Sequence, residues 1–176
     1  VAVLVLASPA AAAMALAMGL PDLVKASPAV VVGSVASRKS QWSGDRIVTL
    51  SRIAVEDTIL AEDGPVEPEI TVVTAGGEVG DVGLWVAGEA RMKTGGRYLL
   101  FARRSAGTYR VTGRSQGCLE VISDDEGATW VMPPDPAGLV TWKSGHLVPG
   151  LPFLAQPARL EDVVSGILDA YEAGSP

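Results

Sequence analysis

The sequence predicts a mainly β domain whose strands pair antiparallel in a sandwich or a small barrel. Short apolar runs follow one another between Ala29 and Ile122, and glycine-containing turns separate them. No helical periodicity lies between these runs, and strands without intervening helices favour antiparallel pairing over a parallel α/β sheet. The chain has 176 residues, of which 48% are hydrophobic, so it is long and apolar enough for one buried core. We therefore expect a single domain with appendages at its two ends.

Residues 1–19 form an apolar, alanine-rich segment that is typical of a secretory signal. Val1–Leu20 carries no charged residue, and small residues alternate in Ala11-Ala12-Ala13 and in Ala15-Leu16-Ala17. An apolar run followed by small residues at alternating positions is the pattern that a signal peptidase cleaves. We expect the basic start of such a signal upstream of Val1, and a mature chain that begins near Met18. The segment thus predicts a secreted or periplasmic protein.

Two alternatives for this segment stay open. It reaches the length of a membrane-spanning helix and would then be retained as an anchor, although Ser8-Pro9 would interrupt such a helix. The second alternative is an ordinary buried helix. Contact with a membrane is expected only if residues 1–19 are retained.

The predicted β-barrel domain, residues 20–132, begins with a short helix. Pro21 suits the first helical turn, and Ser27-Pro28 ends the helix because the residue before proline avoids the α region. Gly33 lies inside the first strand and indicates a bulge, while Gly44-Asp45 is typical of a hairpin turn. The predicted strands are Ala29–Ser37, Arg46–Leu60, Glu69–Thr74, Leu84–Ala87, Arg97–Arg103, Thr108–Thr112, Cys118–Ile122 and an edge strand at Thr129–Met132.

The end of the chain divides into a connector and a helix. Residues 133–157 are rich in proline and glycine, which predicts irregular structure that wraps the surface. Residues 158–173 predict an amphipathic helix that packs on the barrel, because apolar side chains recur there at helical spacing. These side chains are Leu160, Val163, Val164, Ile167, Leu168 and Tyr171.

Several segments, in this order, carry a resemblance to a known group of proteins. They are Val31–Val35, Ala75–Gly80, Gly95–Phe101 and Tyr109–Gly117. The series resembles a family of uncharacterised exported bacterial proteins in which a small β-barrel follows a signal peptide and a short helix. The resemblance extends from Leu20 to Ile122. It implies a barrel and an exported location, and it implies no catalytic residue.

The strand order is also distantly similar to the OB-type barrel of netrin-like modules, which include the tissue inhibitors of metalloproteinases. Those inhibitors chelate the zinc of the protease through an N-terminal cysteine, and no residue of this sequence matches that cysteine. The resemblance therefore implies the fold and not the inhibitory mechanism. The fold that it implies is a small antiparallel OB- or netrin-like barrel with a short N-terminal helix and a C-terminal amphipathic helix.

The sequence contains few of the side chains that catalysis uses. It has a single histidine, His146, and a single cysteine, Cys118, and neither has a partner of its own type for a metal site. The acids Asp124-Asp125-Glu126 lack the alternating spacing of a calcium loop and predict a solvated turn. We expect no catalytic residue, no cofactor and no metal, so the protein is predicted not to be an enzyme. A hydrolase that uses His146 is kept as an alternative.

The charge of the chain bears on its partners. The formal net charge is −6 and the isoelectric point is about 4.8, so the protein has no long-range attraction for phosphate backbones, and we expect no nucleic-acid partner. The remaining prediction is a non-catalytic binding or interaction module that meets a protein or a glycan outside the cytoplasm. A secreted protease inhibitor of the netrin-like type is the alternative from another class.

The candidate interaction surface combines exposed tryptophans with a glycine-rich loop. Indole rings stack on sugars or anchor protein interfaces because they combine a large apolar area with one N–H donor. A glycine-rich excursion at the mouth of a barrel is a further place where a partner can be contacted. The residues that we assign to this surface are Trp42, Gly77, Glu78, Gly80 and Trp85.

Overall fold

The computed structural model describes residues 14–174, and strands account for 49% and helices for 16% of them. This confirms the mainly β prediction. The helices are α1 (Leu20–Lys25), α2 (Leu160–Gly174) and a short 3-10 helix at Arg114–Gly117. The strands are β1 (Ala15–Leu16), β2 (Ala29–Ser43), β3 (Arg46–Ala61), β4 (Glu69–Ala75), β5 (Gly77–Val79), β6 (Val82–Leu84), β7 (Arg97–Ser105), β8 (Thr108–Val111), β9 (Cys118–Ser123), β10 (Thr129–Val131), β11 (Leu139–Lys143), β12 (His146–Pro149) and β13 (Ala158–Arg159).

Five strands of the main sheet form a closed ring. The sheet has the order β13-β10-β9-β7-β2-β3-β4-β8, and β7 also pairs with β8, so the pairing returns to its start through β7, β2, β3, β4 and β8. Within this ring the prediction of antiparallel pairing is wrong at one place, because β4 and β8 are parallel, with Val72 opposite Tyr109. The reason is geometric. Strand directions cannot alternate all the way around a ring with an odd number of strands, so one neighbouring pair must run the same way.

Strands β2 and β3 form a long hairpin that bends around the ring. The turn lies at Gly44-Asp45, as the sequence predicts. The register shifts between Val32 and Gly33, which confirms the predicted bulge. A Cβ atom at Gly33 would lie 2.6 Å from the carbonyl oxygen of Ala54. Glycine is therefore required where the two strands approach each other at the bend.

Two apolar cores lie on opposite sides of the ring strands. The inner core takes side chains from every strand of the ring, among them Val31, Ile53, Val72, Leu100 and Tyr109. The outer core packs the other faces of β2 and β7 against β9, α1 and α2, and contains Val30, Val32, Leu99, Phe101, Leu119 and Ile167. Because β2 and β7 are covered on both faces, their sequences contain consecutive apolar residues and do not alternate with polar ones.

The predicted irregular connector is wrong in its central part. β11 and β12 form a hairpin there, and its turn places Ser144 and Gly145 at φ values of 52° and 81°. The alternating apolar side chains on either side of that turn stabilise strands despite the surrounding prolines. Downstream, β13 takes the first two residues of the predicted helix and pairs with β10. β10 consequently lies inside the sheet and is not the predicted edge strand.

The first described residues belong to a small second sheet. β1 pairs in parallel with β11, so the sheet has the order β1-β11-β12. The predicted signal segment, residues 1–19, lies mostly outside the described residues and contributes only Met14–Gly19 to them. Those residues make backbone hydrogen bonds to the rest of the domain, from Ala15 N to the carbonyl of Gly138 and from Ala17 N to the carbonyl of Val140.

The strand predicted at Leu84–Ala87 is also largely wrong. β6 ends at Leu84, pairs with β5 in a two-stranded hairpin, and leaves Trp85 in an irregular segment. Positive φ values at Gly76, Gly77 and Gly80 shape the start and the turn of this hairpin. The glycine-rich stretch is therefore a short hairpin, and the irregular segment after it carries the tryptophan.

Candidate functional site

A cleft of about 850 Å³ lies at one end of the ring. Its floor is formed by neighbouring positions of β2, β3 and β4, and its walls are formed by the β5–β6 hairpin and by the segment that runs from Trp85 to Lys93. The volume of this cleft falls within the range of small-ligand sites in proteins.

A row of hydroxyl groups crosses the floor of the cleft. In the strand register Ser40 lies opposite Thr49, and Thr49 lies opposite Thr74, so all three side chains project from the same face of the sheet. The Oγ of Ser40 is 2.9 Å from the Oγ1 of Thr49, which donates a hydrogen bond of 2.7 Å to the carbonyl of Gly76. Thr49 and Thr74 are only 2% and 5% exposed, and Ser40 is half-buried, so of these three side chains only Ser40 keeps appreciable exposed surface in the cleft.

Gly77 brings the β5–β6 hairpin down onto this row. A Cβ atom at Gly77 would overlap the side-chain oxygens of Ser40 and Thr49, and its φ of 135° lies in the region that favours glycine. Any larger residue would lift the hairpin away from the floor. The role of Gly77 is therefore to let the backbone of the hairpin approach the side chains of Ser40 and Thr49 closely, and not to make a loop flexible.

Trp85 forms the aromatic wall of the cleft. Its side chain is 62% exposed, although an indole of this size is rarely left so open. The guanidinium of Arg91 lies 5.1 Å from the centroid of the indole ring, a cation–π distance that favours a defined ring orientation. The cleft thus presents a large, oriented aromatic surface to solvent.

Charged side chains of both signs surround the cleft. Arg38, Arg91 and Lys93 are basic, and Glu78 and Glu89 are acidic. Burial raises the pKa of the Glu89 carboxyl above its usual range, and the charge of nearby Arg114 opposes that rise. Neither sign dominates the lining, so the cleft suits a neutral, hydroxyl-rich molecule better than a highly charged one.

The structure brings together part of the predicted interaction surface. Gly77, Glu78 and Trp85 line the cleft. Gly80 lies outside the lining, next to β5 in its hairpin turn, and Trp42 lies outside it at the end of β2, where its side chain is 49% exposed. The sequence reasoning missed further lining residues: Arg38, Ser40, Thr49, Thr74, Glu89 and Arg91.

One sequence signal could have found the floor. Ile47, Thr49, Ser51 and Ile53 alternate along β3 and all are buried, so hydroxyl side chains interrupt an otherwise apolar inner face. A polar residue at a core position of a strand indicates either a hydrogen-bonded network or a site. The pattern of β3 thus predicts a polar position in the core. That Ser40 and Thr74 lie beside it follows only from the register of the paired strands.

The other chemically interesting side chains lie away from the cleft. His146 is exposed at the start of β12, with its Nδ1 3.2 Å from the carbonyl oxygen of Ser144. Asp124 accepts hydrogen bonds from the backbone of Glu126 and Ala128 and from the Trp130 indole, so it stabilises its own turn. Within residues 14–174, no cluster of at least three His, Cys, Asp or Glu side chains could hold a metal ion.

Cys118 is expected to be inert towards thiol reagents in the folded protein. Burial raises the pKa of its thiol to about 12, and the charges of Glu120 and Glu89 add to that rise. At pH 8 the thiolate fraction is then on the order of 1 in 10,000. We expect no reaction with a disulfide reagent at pH 8 and full reaction in urea, measured by absorbance of the released thiolate. Rapid reaction without denaturant would contradict the burial of this side chain.

A second exposed feature is the outer face of the β1-β11-β12 sheet. Leu16, Val140, Trp142, Leu147 and Pro149 share this face, because the register places Leu16 beside Val140, Val140 beside Pro149 and Trp142 beside Leu147. Trp142 is 63% and Leu16 is 56% exposed. A contiguous apolar face without a charged side chain is typical of an interaction surface.

Comparison with known proteins leaves the site to be interpreted from its own residues. No family model, no curated protein and no solved structure matches the chain. In the described part of the chain, no helix is long and apolar enough to cross a membrane. What the cleft does must therefore be inferred from its geometry and from the fold that carries it.

Proposed function

We propose that this protein is an exported, non-catalytic binding module with an OB-like, netrin-like barrel, and that it holds a carbohydrate in the Trp85 cleft. The ring of β2, β3, β4, β8 and β7, with its single parallel pair, supports the barrel assignment. OB-type barrels bind oligosaccharides or oligonucleotides on the face of their second and third strands and on the adjoining loops. In this ring the second and third strands are β3 and β4, which carry Thr49 and Thr74.

The observation that carries the proposal is the pairing of an exposed indole with exposed polar side chains of both charge signs in one cleft. A sugar ring offers an apolar face to an aromatic side chain and hydroxyl groups to polar partners. Trp85 supplies the aromatic surface, and the exposed side chains of Arg38, Glu78 and Lys93 supply the polar partners. The net charge of −6 argues against an oligonucleotide. His146 lies on β12 outside the lining, so the cleft contains no histidine to act as a general base.

Replacing Trp85 with alanine is expected to weaken carbohydrate binding by about tenfold, which corresponds to about 1.4 kcal/mol. The ligand would lose its aromatic surface while the exposed position leaves the fold intact. The probes are neutral oligosaccharides of glucose and of N-acetylglucosamine, screened by calorimetry against the wild-type protein and then titrated into the variant.

Trp42→Ala is the matched control for this experiment. Trp42 is also an exposed tryptophan of the ring, but it lies outside the cleft, so its replacement should leave affinity within twofold of wild type. Equal losses in the two variants would contradict the assignment of the site. If none of the neutral oligosaccharides binds at millimolar concentration, the carbohydrate proposal is wrong.

A protein partner is the second candidate, and the apolar outer face of the β1-β11-β12 sheet is the observation that favours it. Such a partner would cover Trp142 and Leu147 with apolar side chains of its own. A netrin-like inhibitor of a protease would belong to this class. The double variant Trp142→Ser, Leu147→Ser separates the two candidates, because it would abolish capture of a protein while leaving oligosaccharide binding in the cleft unchanged.

A further inference from the structure

The described start of the chain is built into the folded domain. Ala15 N donates to the carbonyl of Gly138 at 2.9 Å, and Ala17 N donates to the carbonyl of Val140 at 2.7 Å. These hydrogen bonds hold β1 against β11 along one edge of the small sheet. The sequence, by contrast, offers Ala15-Leu16-Ala17 as a cleavage motif, and cleavage there would remove β1 from the protein.

A fully buried glutamine also depends on these residues. The Oε1 of Gln116 accepts a hydrogen bond of 2.8 Å from Met18 N, and its Nε2 donates to the carbonyl of Leu16 at 3.0 Å. Its Nε2 also lies 3.2 Å from the carbonyl of Gly113, and the side chain has no exposed surface. Buried amides are retained where their donors and acceptors are satisfied, and Leu16 and Met18 satisfy this one.

Packing fixes the same segment. A Cβ atom at Gly150 would lie 2.8 Å from the Cβ of Ala17, so the chain at Ala17 lies close against the residue that follows β12, and only glycine fits there. The sulfur of Met18 lies against Gly113, and its side chain joins the outer core. The interactions of residues 15–18 are thus those of an integral strand.

We infer that signal cleavage takes place between Ala13 and Met14, four residues upstream of the position that the Ala15–Ala17 motif predicts. This inference rests on the proposed export of the protein. Ala11-Ala12-Ala13 supplies small residues at the two positions that a signal peptidase reads. Water adds across the Ala13–Met14 peptide bond, so that the leader ends in the carboxylate of Ala13 and the mature chain begins with the amine of Met14.

Cleavage at this bond is compatible with every contact described above, and cleavage after Ala17 is not. Met14 is 59% exposed, so its new ammonium group would remain in water. A start at Met18 would remove the β1 partner of β11, take the Leu16 carbonyl from Gln116, and place a charge at the half-buried nitrogen that now donates to Gln116.

The test reads the first residue of the exported protein directly. The full precursor, with its own start, is produced in a bacterial host that secretes proteins, and the protein recovered outside the cytoplasm is examined by intact mass and N-terminal sequencing. We expect Met14 as the first residue. In the matched pair of variants, Ala13→Leu should abolish processing at this bond, and Ala17→Leu should leave the first residue unchanged.

The two ways in which this experiment can fail are distinct. A mature chain that begins at Met18 would overturn the inference and leave export intact. An uncleaved precursor held in the membrane or the cytoplasm would overturn the export proposal, and the inference with it.

As a second measurement, a chain beginning at Met18 should melt about 5 °C lower than one beginning at Met14, because it lacks β1 and its hydrogen bonds. Equal melting temperatures would contradict the structural role of residues 14–17.

Discussion

Replacing Phe101 with alanine should lower the free energy of unfolding by about 4 kcal/mol, because it empties the largest side-chain position of the outer core. Phe101 has no exposed surface and meets the edge of Phe153 with the ring centroids 6.0 Å apart. It lies where β7 faces α1 and α2, and these helices cannot fill the space without giving up packing contacts elsewhere in the outer core. Urea unfolding followed by far-ultraviolet circular dichroism measures the change.

Phe153→Ala is the matched control for that prediction. It removes the partner ring of the same aromatic contact. This partner ring lies at a half-buried position in the segment before β13. The loss there should be clearly smaller, at about 1–2 kcal/mol. If the two variants lose the same stability, the outer core does not depend on Phe101 in the way that its burial indicates.

Replacing Gln116 with leucine should cost about 3 kcal/mol, even though the two side chains are similar in size. The leucine would leave Met18 N and the carbonyl of Leu16 without their partner, and an unsatisfied buried polar group costs about 1–3 kcal/mol. The free energy of unfolding is measured in urea on the mature protein. The variant should also expose the start of the chain to limited proteolysis before the rest of the domain.

Gln41→Leu provides the comparison for Gln116. Gln41 is an exposed residue near the end of β2, and the same chemical change there should alter stability by less than about 0.5 kcal/mol. A Gln116 variant that is as stable as the Gln41 variant would show that the three-way contact of the buried amide contributes nothing to the fold.

The sequence predicts the ring strands well because their signals are local. The long runs that became β2 and β3 have alternating or doubly covered patterns, and the turn at Gly44-Asp45 fixes their pairing. By contrast, β11 and β12 lie among prolines and glycines. These residues are typical of turns, so the sequence predicts irregular structure there in spite of a short alternation of apolar residues. Their pairing with β1 joins residues from opposite ends of the chain, and no local pattern specifies such a partner.

The candidate site was predictable only in its walls. Trp85 and the glycines near it stand out in the sequence as an aromatic side chain beside a glycine-rich stretch. The floor is different, because Ser40, Thr49 and Thr74 are unremarkable residues that become a site only when three strands align in one register. That register follows from the pairing of β2 with β3 and of β3 with β4, which the pattern of a single strand does not specify.

The parallel pair that closes the ring also affects the order in which the domain can fold. Hairpin β2–β3 joins neighbouring stretches of chain, so its formation costs little loop entropy. The β4–β8 pair has a single register position, Val72 opposite Tyr109. The stretch of chain between these two strands contains β5, β6 and β7. The β2–β7 pair joins residues still farther apart, with Val30 opposite Phe101. Both pairings close long stretches of chain, so both belong later on the folding pathway than the β2–β3 hairpin. The hydroxyl row lies on strands that can be in place before these later pairings form, so the floor of the cleft can be assembled before the ring is complete.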